Sequence, residues 1–228
     1  MSSGKIIVIE GTDCSGKETQ TKKLVERLKK EGKKVFQFDF PQYETPTGRI
    51  VGGPFLGKDY ICEGWFPETA PNVDPLVGMC YYAADRRYHV HTIREHLEKG
   101  EIVILDRYTF SNMAHQGCKC ATNEEKMRMF KKIETLEFEV LELPRPDAVI
   151  FLYMPQEYAM KLKASRSKVE TLDQNEASLE HLKAAEDTYL LLTDKFGFCK
   201  IDCVSNQEVR SVDAIHEEIY EKVLDLLK

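Results

Sequence analysis

The densest chemistry in the chain lies in Gly11-Thr12-Asp13-Cys14-Ser15-Gly16-Lys17, which fits G-x-x-x-x-G-K. In that pattern the glycines let backbone N–H groups wrap a chain of phosphates, and the lysine reaches the β and γ oxygens. The pattern needs a strand before it and a helix after it, and the flanking residues predict both. A chance glycine turn is the alternative reading, and those flanks argue against it. Glu18 follows Lys17 where a Mg²⁺-binding serine or threonine is usual, and Thr19 falls on another side of the helix. Asp13 is therefore the better candidate to organise Mg²⁺ and its waters.

A second corner is Asp106-Arg107-Tyr108, directly after the apolar run Ile102–Leu105. An Asp-Arg pair at a strand end can be a structural ion pair. Beside a phosphate cradle it reads better as a clamp for a second phosphate, because the guanidinium fork matches phosphate oxygens.

The elements that must hold these corners alternate. Short β-branched or apolar runs at Ile6–Glu10, Lys34–Phe40, Ile102–Leu105, Asp147–Leu152 and Lys200–Val204 predict five strands. Helices are expected over Glu18–Lys30, Pro75–Lys99, Thr122 to about Leu143, Glu176–Phe196 and Val212–Leu227. Thr122-x-x-Glu125 is a capping box, and Val90, Ile93 and Leu97 repeat at helical spacing. Continuous apolar strands alternating with helices mean an α/β fold with a parallel sheet covered on both faces, whose ligands bind beyond the carboxyl ends of the strands. Two stretches break the alternation. Gly52 to Pro75, with four prolines and the only tryptophan, Trp65, reads as a long loop or partial lid. Met160 to Asp173 is polar and basic.

The chain has 228 residues, 42% of them hydrophobic and 31% charged, which suits one α/β unit spanning 1–228. With a formal net charge of -6 and no basic stripe along a helix, nucleic-acid polymer is not an expected partner. Small anionic nucleotides are, since they need only a few placed cations. The apolar run Ile6–Ile9 is too short for a signal core or a membrane span. The seven cysteines read as reduced, mostly buried thiols of a cytoplasmic protein. Cys118-x-Cys120 has no partner pair at zinc spacing, and His89 and His91 face different sides of a helix.

Over nearly its whole length the sequence resembles the thymidylate kinase family. Glu10 to Lys17 is similar to the family's phosphate loop, Phe40-Pro41-Gln42-Tyr43 to its F-P-x-Y segment, and Asp85-Arg86 to its helix pair. Asp106-Arg107-Tyr108 with Ser111-Asn112 is similar to its D-R-Y/H signature. The resemblance implies the three-layer nucleoside-monophosphate-kinase fold, ATP as phosphoryl donor with Mg²⁺, dTMP as acceptor and a homodimer. It implies that Gly11 through Thr19 bind ATP, with Asp13 and Lys17 catalytic. Phe40 and Tyr43 would line the acceptor pocket, Tyr82 would stack on the base and Arg86 would bond its edge. Asn112 would reach the base, Arg107, also catalytic, would hold the acceptor phosphate, and Asp106 and Ser111 would belong to the acceptor site. Read from its residues alone, Tyr82 is first a core aromatic, and Arg86 beside Arg87 a solvated face.

The family divides by where its catalytic cation sits. Cys14 and Ser15 are uncharged, so this chain resembles the members that carry it in a lid, here about 160–175. Lys161, Lys163, Arg166 and Lys168 cluster there, Arg166 being the expected catalytic cation and Lys168 the second choice; a plain basic loop is the other reading. Glu176 resembles an acid next to the lid. His115 stands where relatives carry an aromatic beside the acceptor sugar, and Tyr43 where some carry an arginine, with Arg49 as its possible substitute. A kinase for another nucleotide or deoxynucleoside, and a nucleotide-binding switch or module without turnover, are the competing functions. The absence of an N-K-x-D guanine reader argues against the switch.

Overall fold

Side chains along β1 (Lys5–Gly11) leave the strand on alternate sides, and both sides are apolar. Ile6 and Val8 enter one buried cluster, Ile7 and Ile9 another, so the strand must be covered on both faces. The computed structural model describes residues 4–165 and 172–227. From β1 the chain runs through α1 (Lys17–Lys30), β2 (Val35–Asp39) and α2 (Pro46–Ile50), which passes into a π-helical turn at Val51–Phe55. Then come α3 (Pro75–Glu98), β3 (Ile102–Asp106), α4 (Thr109–Gly117) and α5 (Asn123–Glu134), extended by a π-helical segment Thr135–Val140. β4 (Ala148–Tyr153), α6 (Gln156–Ser165), α7 (Leu179–Phe196), β5 (Cys199–Asp202), the hairpin β6 (Val204–Ser205) and β7 (Glu208–Val209), and α8 (Val212–Leu226) follow.

The five long strands form a parallel sheet in the order β2-β3-β1-β4-β5. One face packs on α3, α4, α5 and α7 through Val90, Ile93, Met113, Phe130, Tyr189 and Leu192. The other packs on α1 and α8 through Leu24, Val25, Leu28, Ile215, Ile219 and Val223. This is the three-layer α/β architecture expected from the sequence. Register sets the site: Asp106 pairs with Ile9 on one side and Asp39 on the other. The loop after β1 and the corner after β3 therefore emerge side by side at the carboxyl edge.

The structure departs from expectation in several elements. The Gly52–Pro75 stretch begins helically, since Val51–Phe55 continues α2, and the rest folds over a small core of Val51, Phe55, Leu56, Ala70 and Val73. The polar, basic stretch from Met160, expected as a lid, lies in α6 as far as Ser165. The helix opened by the Thr122–Glu125 box changes to π-helical hydrogen bonding after Glu134. α7 starts later than expected because Ser178, whose hydroxyl accepts from the His181 N–H, caps it. Val212 belongs to the predicted α8 stripe but is exposed at its first turn. Of the cysteines, Cys203 alone is buried, five are half-buried and Cys80 is exposed, so the expected burial of most of them is not met. Among the described residues no group of three or more His, Cys, Asp or Glu could hold a metal ion. No described helix is long and apolar enough to cross a membrane.

Candidate active site

The phosphate loop carries two left-handed residues, Cys14 (φ 54°) and Gly16 (φ 74°). Gly16 precedes α1 with no side-chain cap, which leaves the first N–H groups of the helix available to an anion. The loop is tied to β4 by Thr12, whose hydroxyl donates to the Met154 carbonyl and accepts from the Met154 N–H, both at 2.8 Å. The Ser15 Oγ is buried without a hydrogen-bond partner, and a Cβ at Gly11 would lie only 2.4 Å from it. Lys17 is largely buried and pairs with Asp106. Burial and then the nearby Arg107 cation push its ammonium below the usual lysine range, against the pull of Asp106. Asp13 accepts from the Cys14 N–H at 3.0 Å and pairs with Lys163 of α6.

At the neighbouring corner Arg107 has φ 65°, a conformation disfavoured for a residue with a side chain. It is held from β1. The Arg107 N–H donates to the Ile9 carbonyl at 3.0 Å. The Glu10 carboxylate then accepts from the Tyr108 N–H at 2.9 Å and the Ser111 N–H at 3.1 Å. Glu10 thereby caps α4, whose N-cap residue Tyr108 offers no side-chain cap of its own. Its other oxygen accepts from the Ser111 hydroxyl at 2.6 Å and the Tyr189 hydroxyl at 3.1 Å. Burial raises the Glu10 pKa, opposed by Arg107 and these hydrogen bonds. The Arg107 Nη1 donates to the Ser111 and Tyr189 hydroxyls at 3.2 and 3.3 Å. Burial works against the Arg107 cation, but Tyr189, Glu10 and Asp106 hold its pKa above the ordinary arginine range.

Both corners open onto one cavity of about 640 Å³. It is lined by Gly11, Thr12, Asp13, Lys17 and Glu18 from the phosphate loop and its helix, and by Phe40, Tyr43, Tyr82, Arg86, Asp106, Arg107, Ser111, Asn112 and His115. Cys14, Ser15, Gly16 and Thr19 do not line it; Thr19 is exposed on α1. Arg49 does not line it either. Gly48 packs so closely on Gln42 that a Cβ would fall 1.9 Å from the Gln42 carbonyl oxygen, and the next residue, Arg49, is left exposed. Arg166 and Lys168 lie outside the described residues. Lys163 and Glu176 line the cavity.

At the acceptor end Arg86 is 2% exposed and is no solvated face; Arg87 is, and donates to the Leu141 carbonyl at 3.0 Å. The Nε and Nη2 of Arg86 meet the two oxygens of Glu137 at 2.5 and 2.6 Å, a bidentate pair in the interior. Tyr82 reaches the cavity and packs edge-on against Phe55, so it is both core and wall. Burial raises its phenol above the usual range. His115 stacks on His181 with Nδ1 and Nε2 3.0 Å apart. Burial depresses both imidazoles, His181 to about 4.

Several lining residues carried no motif. Lys58, from the stretch after Gly52, pairs with Asp173 at 2.9 Å and lies 5.1 Å over the Tyr43 ring. Tyr189 and Asn175 come from far along the chain. Glu10, behind the cavity wall, belongs to the phosphate-loop segment, but its capping of α4 carried no signal beyond a carboxylate at the end of an apolar strand.

A phosphate-binding loop and a buried arginine corner facing one cavity, on a parallel sheet of this order, define a phosphate-loop nucleotide kinase. The thymidylate kinase family model matches residues 9–219. The chain belongs to the thymidylate kinase family. A probable thymidylate kinase of Thermococcus onnurineus is 34% identical, over 93% of this chain and 94% of its own length. The thymidylate kinase of Schizosaccharomyces pombe is 28% identical, over 96% and 91%. The structure of Candida albicans thymidylate kinase superposes with a TM-score of 0.72 at 22% identity, covering 98% of this chain and 92% of that one.

Proposed function

We propose that this chain transfers the γ-phosphoryl group of ATP to dTMP, giving dTDP and ADP. The observation that carries the reading is the shared cavity, with the phosphate loop at one corner and Arg107 at the next. The chain is an ATP-dependent nucleoside-monophosphate kinase, and its family relationship supports thymidylate as the acceptor. It forms one kinase unit across 1–228, with the lid at about 160–175.

Two nucleotides bind with their phosphates meeting between the corners. The backbone of the Gly11–Gly16 loop and Lys17 hold the ATP phosphates. Arg107, fixed by Ser111 and Tyr189, holds the acceptor phosphate and brings its oxygen in line with the γ-phosphorus. Tyr82 stacks on the base, while Arg86 and Asn112 bond its edge. Phe40 and Tyr43 close the pocket. Transfer is direct, with no protein nucleophile; catalysis comes from positioning and from cations facing the charge spread over the equatorial oxygens. Lys163, paired with Asp13, brings the lid helix to the phosphate loop, and Arg166 is the catalytic cation of the lid.

Mg²⁺ fits the residues present. Asp13 and Asp106 line this edge with hard oxygen donors, and Mg²⁺ needs only one or two carboxylates beside phosphates and water. Asp13 is the protein group that holds it or its waters. When bound, the ion screens the phosphate charge.

The enzyme is cytoplasmic, a compartment in which its cysteines would stay reduced. It works as a homodimer. The exposed stripe Leu76, Val77, Cys80 and Tyr88 along α3 is the apolar face that a second copy would cover. Sedimentation should give twice the chain mass.

The decisive assay supplies ATP, Mg²⁺ and dTMP to the purified chain and follows dTDP by chromatography. Formation of dTDP that Lys17→Ala abolishes supports the function; ATP binding without any acceptor phosphorylated would refute it.

A further inference from the structure

Glu137 is wholly buried, carries no motif, and sits in the π-helical segment Thr135–Val140. Its backbone setting matters, because a π-helical stretch shifts the phase of a helix and is frequently found at functional sites. Here the shift aims a carboxylate between α3 and α4. One oxygen accepts from the Arg86 Nη2 at 2.6 Å and the Asn112 Nδ2 at 2.8 Å. The other accepts from the Arg86 Nε at 2.5 Å and the Thr109 hydroxyl at 2.9 Å.

The consequence falls on Asn112. Its Nδ2 also donates to the Met79 carbonyl at 3.1 Å, so both amide protons point at groups that can only accept. A flipped amide would set its oxygen against a carbonyl and a carboxylate. The Oδ1 is thus held the other way, and it is buried with no hydrogen-bond partner. Asn112 and Arg86 both line the cavity.

We propose that Glu137 is the positioning residue that sets base selectivity, by locking the Asn112 amide so that the pocket presents a bare acceptor beside the Arg86 donor. Such a pair matches a base edge carrying an N–H next to a carbonyl, as thymine, uracil and guanine do. It opposes cytosine and adenine, which present a ring-nitrogen acceptor next to an amino donor. An acceptor facing an acceptor in a buried site leaves both unsatisfied, which is how such sites reject close analogues. This inference rests on the reading of Arg86 and Asn112 as contacts to the base.

The test is Glu137→Gln, nearly isosteric, which replaces one acceptor with a donor and frees the Asn112 amide to turn. KM and kcat are measured with dTMP and dCMP, and KM for ATP is measured alongside. The expected result is a rise of about tenfold or more in KM for dTMP, and a fall of at least about tenfold in the dTMP-to-dCMP ratio of kcat/KM. The ATP KM stays unchanged, which a merely loosened fold would not leave alone. A preference for dTMP that survives the substitution intact overturns this inference alone. A wild-type protein that phosphorylates dCMP as well as dTMP overturns the assignment of the base pocket and this inference together. Should the variant not fold, the wild-type protein decides: NMR of the ligand-free enzyme should find both Asn112 amide protons slow to exchange, and rapid exchange would overturn the lock.

Discussion

Ser111 donates to both oxygens of Glu10, its backbone N–H at 3.1 Å and its hydroxyl at 2.6 Å. Glu10 stands at the end of the strand that launches the phosphate loop, and Ser111 lies in the first turn of the helix behind Arg107. The two corners of the cavity are therefore joined through one buried carboxylate rather than merely placed close together.

Glu10→Gln should separate these corners. The amide can keep its oxygen on the Tyr108 and Ser111 N–H groups, but its NH2 then meets the Ser111 and Tyr189 hydroxyls, which must turn from donating to accepting, and the charge facing Arg107 is lost, at a cost of about 1–3 kcal/mol. Urea titration should find the variant destabilised by that order. In the folded variant kcat should drop more than the ATP KM rises, because Arg107 loses its support.

Lys17→Ala and Arg107→Ala should each lower kcat by orders of magnitude, roughly the 10²–10³ seen when a preorganised charge-stabilising donor is removed. Far-ultraviolet circular dichroism should be unchanged. Their effects should divide by substrate, with Arg107→Ala raising the dTMP KM and sparing that of ATP. Wild-type turnover in either variant would remove its assigned role.

Gly48→Ala tests the acceptor wall. The new methyl would fall 1.9 Å from the Gln42 carbonyl oxygen, so the backbone must move. Thermal or urea unfolding should register a loss of about 1–3 kcal/mol, the usual cost of overpacking. Because the segment carries Tyr43, the dTMP KM should rise as well.

The paired imidazoles give a pH dependence of defined sign. Burial holds His181 at about 4 in the native state against an ordinary 6.5, so between those values the unfolded chain binds the proton and the native one does not. This contribution is fully present above pH 6.5 and lost as pH falls toward 4, by up to about 1.4 kcal/mol per pH unit for one group. Urea midpoints should decline between pH 7 and pH 5, and His181→Gln should flatten the slope.

The sequence made the sheet legible because its strands are continuous apolar runs and its helices repeat cleanly. It also marked both ligand corners, whose residues are contiguous. Glu137 could not be read, since its inward direction depends on a change of helical phase that no residue type announces. Tyr189 was hidden for another reason: on an ordinary amphipathic helix, a residue facing the cavity looks like one facing the core. The docking of Lys58 on Asp173 joins segments more than a hundred residues apart, and neither carries a local signal. Arg49 misled because its neighbour Gly48 takes the inward position.

A compound joining adenosine and thymidine 5′ to 5′ through a chain of five phosphates tests the single-cavity claim most directly. It should inhibit competitively against ATP and against dTMP, and bind more tightly than either nucleotide. Competition with ATP alone, with dTMP still bound in its presence, would mean that the two corners do not serve one cleft.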